Sequence, residues 1–127
     1  MTPAAMRDLV DRYLDAYNRM DVAAMLAPLH PEVEFRHLAG AEQLVATRGK
    51  EALRTLAEQS LALFSQRRQT LTEFTVEGGF ALARIDFHAV AARDLSAECP
   101  RGQVVSLAGR SEFEFREGLI SRITDIT

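Results

Sequence analysis

Apolar residues in the first third of the chain recur at three- and four-residue steps. Met6, Leu9, Val10, Tyr13, Leu14 and Tyr17 fall on one stripe, the period of an amphipathic helix. Arg7, Asp8, Asp11, Arg12, Asp15 and Arg19 fill the opposite face, spaced for weak pairing one turn apart. Thr2 supplies an N-cap and Pro3 suits the first helical position. Asp21 caps a second, short helix carrying Val22, Met25 and Leu26, bounded by Pro28 and Pro31. Glu32–Leu38 alternates as a short strand with Val33, Phe35 and His37 on one face. A third helix is predicted from about Lys50 to Phe64, its inner stripe running through Leu53, Leu56, Ala57, Ser60, Leu61 and Phe64. The segment between, Ala39–Thr47, shows no period and reads as a loop.

The second half changes to a period of two. Strands are predicted at Gln69–Val76, Phe80–Ala92, Gln103–Arg116 and Leu119–Ile126, with turns at Gly78-Gly79 and Glu117-Gly118 and a loop over Arg93–Gly102. Two of these strands exceed the common length of about 5–6 residues, and long antiparallel strands twist. Three early helices need a surface to cover. The economical arrangement is an α+β cone, a curved antiparallel sheet with the helices on its concave face. Three helices do not fill such a concavity, so a pocket at one end is expected.

Composition narrows the function classes. The chain has 127 residues, 47% of them hydrophobic, which fits one domain over residues 1–127 with a real core. A net charge of −3 gives no reason to expect a nucleic-acid partner. No apolar run is long enough for a membrane span. Met1–Asp8 lacks a basic segment followed by an apolar stretch, so no secretory signal is expected. The single cysteine, Cys99, sits in a polar loop and fits a reducing, cytoplasmic setting. His30, His37 and His88 lack metal-ligand spacing, so neither a metal nor another cofactor is expected.

Three segments carry a resemblance: Tyr13–Asp21 (YLDAYNRMD), His30–Phe35 (HPEVEF) and Arg48–Leu53 (RGKEAL). With the element order, they resemble the nuclear transport factor 2-like superfamily in its SnoaL-like branch. That resemblance covers nearly the whole chain and implies the cone fold. Because the superfamily hosts enzymes, binders and transport factors, it leaves function open.

Two enzyme families within it resemble the chain at particular residues. Arg84-Ile85-Asp86 and Asp125 resemble the Arg-x-Asp and the final-strand Asp of limonene-1,2-epoxide hydrolase. The hydrolase's first-strand Tyr and Asn are replaced by Phe35 and His37, and the Trp-Arg before its final Asp by Ile123-Thr124. The likeness implies Asp125 as base, Asp86 as acid, Arg84 as the link between them and His37 holding the water. Ketosteroid isomerase fits less closely. Its helix-one Tyr is matched by Tyr13, its base falls at His37 and its protonated Asp near Ser111.

Residue chemistry gives the same outline with alternatives open. Arg84, Asp86 and His88 share one strand face with Phe80 and Leu82, grading from apolar to ionisable. The opposite face, Ala81, Ala83, Ile85, Phe87, Ala89 and Ala91, is an equal candidate for the core. A second subunit covering one face would reconcile the two, and a homodimer is expected on that ground. Two carboxyls close together titrate apart, so that one serves as acid and the other as base. The catalytic set the resemblance implies is Arg84, Asp86, Asp125 and His37. Tyr13, Phe35, Leu82 and His88 are the expected substrate contacts. The expected partner is a small apolar molecule, and the first expected reaction is epoxide hydrolysis. Isomerisation with His37 as base and Tyr13 at the oxyanion is the second. A non-catalytic binding or assembly domain is the third.

Overall fold

The computed structural model describes residues 1–127. In chain order the elements are α1 (Pro3–Asn18), α2 (Val22–Leu26), β1 (Leu29–Ala39), β2 (Glu42–Arg48), α3 (Lys50–Ser60), β3 (Phe64–Glu77), β4 (Phe80–Ala91), β5 (Val104–Arg116) and β6 (Leu119–Ile126). Both first helices start at the caps their sequences offer. Thr2 Oγ1 accepts from the Ala5 N–H at 3.1 Å, and Asp21 Oδ1 from the Ala24 N–H at 3.0 Å. Met6, Leu9, Val10, Tyr13 and Leu14 are buried, as the α1 stripe requires.

All six strands form one curved, unclosed sheet in the order β2-β1-β6-β5-β4-β3. Neighbours are antiparallel except β1 and β6, which run parallel. The last strand thus lies in the middle of the sheet, paired on both sides. Two expectations change. Ala39–Thr47 is not a loop: most of it is β2, an edge strand paired with β1. It escaped notice because most of it faces water and carries no apolar alternation. The third helix stops at Ser60, not Phe64, because Phe64 already pairs with Ala91 as the first residue of β3. Gly49 opens α3 at φ 87°, a backbone conformation that disfavours side chains, while its N–H donates to the Val33 carbonyl at 2.8 Å.

The helices cover the alanine face of β4. Ala81, Ala83, Ile85, Ala89 and Ala91 are buried, whereas Arg84, Asp86 and His88 are exposed. Leu9, Val10, Tyr13 and Leu14 of α1 join Phe113, Ile120 and Ile123 of the central strands in one core. Tyr13 meets Phe113 edge to face, with centroids 6.3 Å apart. No helix is long and apolar enough to cross a membrane.

Candidate active site

The core does not fill the concavity. A cavity of about 340 Å³ remains between the helices and the sheet, walled mostly by apolar side chains such as Leu53, Leu56, Leu63, Ile85 and Phe87. That volume suits a small organic molecule. Polar groups enter it in two separate places.

The first is a row across three adjacent strands. His37 on β1 is the register partner of Asp125 on β6, and Asp125 is the partner of Ser111 on β5. Side chains at paired positions share a sheet face about 5 Å apart, so all three reach the cavity together. Ser111 Oγ donates to Asp125 Oδ1 at 2.6 Å, a short charge-assisted bond. His37 Nε2 lies 3.4 Å from Thr127 Oγ1, towards the C-terminal end of the cavity. Burial raises the Asp125 pKa above the usual carboxylate value; the Ser111 hydroxyl and the His37 charge pull the other way without cancelling it. Tyr13 also lines the cavity. Burial first, then the Asp125 charge, drives its pKa up, so its phenol remains a proton-bearing donor.

The second place is formed by Tyr17, Ser60 and Gln69, with Arg67 behind them. Arg67 is only 6% exposed. Its guanidinium lies 3.8 Å over the Tyr17 ring centroid. Nε donates to the Tyr17 carbonyl at 3.2 Å and Nη1 to Ser60 Oγ at 3.3 Å. The Asn18 amide holds this end together. It accepts from the Gln69 N–H at 2.7 Å and donates to the Gln69 carbonyl at 2.9 Å, completing the open edge of β3 as a neighbouring strand would.

Of the residues expected from the sequence, Tyr13, Phe35, His37 and Asp125 line the cavity. Arg84, Asp86, Leu82 and His88 do not. They stand on the other face of β4, where Arg84 is 72% exposed and pairs with Glu73 at 2.8 Å. The physical reason is the preference of the helical layer for the smooth alanine face, which turns every even-numbered β4 residue outward. The Arg84–Asp86–Asp125 constellation is therefore not assembled. Ser111, Tyr17, Ser60, Arg67 and Gln69 were absent from the expected site. For Arg67 and Gln69 a signal existed: they alternate with Leu71 on one face of a strand that begins earlier than its composition suggests.

A fold with a six-stranded open cone, three covering helices and a mostly apolar cavity invites comparison with known families. The SnoaL-like domain profile matches residues 10–123. The chain belongs to the SnoaL-like family. Solved structures agree. TsrD from Streptomyces laurentii shares 27% identity at a TM-score of 0.77, covering 98% of this chain and 89% of that one. A candidate polyketide cyclase of Xanthomonas campestris pv. campestris shares 26% identity at 0.77, covering 98% and 90%. A candidate SnoaL-like polyketide cyclase from Jannaschia sp. CCS1 has 14% identity but a TM-score of 0.80, covering 96% and 84%. No curated protein matches the chain. As a SnoaL-like protein it is a small-molecule-binding scaffold of the nuclear transport factor 2-like superfamily.

Proposed function

We propose that this SnoaL-like protein catalyses proton transfer next to a carbonyl group in a small, largely apolar substrate, a reaction of the cyclase or isomerase type. The observation that carries the reading is one half-buried carboxyl group, Asp125, set in an apolar cavity between a hydroxyl and an imidazole. A carboxylate with a raised pKa is a stronger base than an exposed one. It would remove a proton from the carbon beside the carbonyl, and the Tyr13 phenol would donate a hydrogen bond to the enolate oxygen. The same carboxylic acid then returns the proton to the product carbon or to the ring-closure oxygen. Asp125 takes the role of base in preference to His37, because it sits between both neighbours while His37 lies against Thr127. Likeness to the Xanthomonas protein supports the reading, since ring closure of a polyketide begins with such a proton removal.

Epoxide opening by paired carboxyls loses its support, since Asp86 lies on the far face of the sheet from Asp125. The isomerase comparison gains: Tyr13, His37 and Ser111, the three positions it maps, all line the cavity. Exchange of solvent deuterium into a panel of β-keto esters and unsaturated ketones tests the reading. Wild type is expected to exchange the carbon-bound proton and Asp125→Asn to lose that activity. Absence of exchange across the panel leaves a non-catalytic binding domain.

A further inference from the structure

Buried charges in proteins are normally paired with an opposite charge or fully hydrogen-bonded. Arg67 meets neither condition. Its Nη2 is buried with no hydrogen-bond partner, and no carboxylate lies within ion-pair distance of the guanidinium. Its two bonds go to neutral oxygens, the Tyr17 carbonyl and Ser60 Oγ. Twelve arginine–carboxylate pairs are formed elsewhere, so acidic partners are not scarce in this chain. Arg67 does not itself line the cavity, so its charge acts on a ligand there through the groups in front of it. The groups between Arg67 and the cavity are themselves polar: the Ser60 hydroxyl, the Gln69 amide and the Tyr17 phenol all line it.

We propose that this end of the cavity takes the carboxylate of an otherwise apolar ligand, with Arg67 as its counter-charge and Gln69 and Tyr17 as hydrogen-bond donors. The inference rests on the cavity being the ligand site and names the substrate class: a largely apolar keto acid, its anionic end towards Arg67 and its reacting carbon towards Asp125. An anion is held away from the Asp125 carboxylate by this polarity, so the ligand enters in one orientation.

The test compares 2-naphthoate with methyl 2-naphthoate by isothermal titration at neutral pH, using the whole chain. Wild type is expected to bind the acid about tenfold or more tighter than the ester, the difference a buried counter-charge supplies. Arg67→Met is expected to abolish that preference. Equal binding of acid and ester by wild type overturns the proposal without need of any variant and leaves the cavity reading standing. Preference for the acid surviving in folded Arg67→Met also overturns it, by assigning the anion to Arg110, which also borders the cavity. Failure of both ligands to bind overturns the cavity reading and this proposal with it.

Discussion

Asp125 and Asp86 are the same side chain on opposite faces of one sheet, and their surroundings separate them completely. Asp86 stands on an exposed face beside Arg84, which pairs with Glu73 in water. Pairs of that kind are screened and contribute little. Asp125 lies in an apolar cavity with one hydroxyl donor and an imidazole for company. Burial there raises its proton affinity, and the apolar walls strengthen every dipole that faces it. What makes a carboxyl group chemically useful here is the face it occupies, not the motif that contains it.

The sharpest way to break this contrast is to neutralise each acid in turn. Asp125→Asn is expected to slow exchange of a carbonyl-adjacent proton on the order of 10²–10⁴-fold, the usual contribution of a positioned base. Asp86→Asn should leave the rate unchanged, as measured by deuterium incorporation. Equal losses in the two variants would erase the distinction between the faces. Next in size, Phe113→Ala removes a fully buried ring packed on Tyr13. It is expected to cost about 3–5 kcal/mol in denaturant unfolding.

A subtler contrast involves two glycines. A Cβ at Gly109 would lie 2.8 Å from the Ile126 carbonyl oxygen, whereas one at Gly79 would meet nothing within 4 Å. Gly109→Ala must push β5 away from the end of β6, the strand that carries Asp125. It is expected to destabilise by about 1–3 kcal/mol, as overpacking does. Gly79→Ala should be near neutral, with thermal unfolding of both variants giving the comparison. Smallest of all, Arg84→Gln breaks the exposed pair with Glu73 and is expected to change stability by about 0.5 kcal/mol or less.

Sequence patterning revealed the cone because its signals are local. The α1 stripe, both helix caps and the alternation of β4 all follow from neighbours a few residues apart. Alternation showed that β4 has two faces, but not which one the helices would choose. Ala81, Ala83 and Ala89 lie on the face that is buried, an equal candidate in the alternation with the face of Arg84 and Asp86. The row His37–Asp125–Ser111 joins residues far apart in the chain through strand register, which hydrophobic period does not specify. Asp125 and His37 were legible one at a time. Ser111 was not, because a serine on an inward register reads equally as a spacer. Arg67 and Arg68 are alike as neighbours in the sequence, and only the pleat of β3 separates them, sending Arg67 inward and Arg68 outward.

Direct titration of Asp125 tests the central claim. Carbon-13 NMR of the carboxyl groups, with Asp125→Asn used to assign the signal, reports its midpoint alongside that of Asp86. Asp125 is expected to titrate above the ordinary aspartate value of 3.8. Its folded-state pKa exceeds the unfolded one, so the stability tied to its neutral form is full below that ordinary value. That stability is lost as pH rises through the raised folded value, and Asp125→Asn should remove this loss. A midpoint for Asp125 at or below the ordinary value would mean a carboxyl group bathed in water, and would contradict the placement of the chemistry on the concave face.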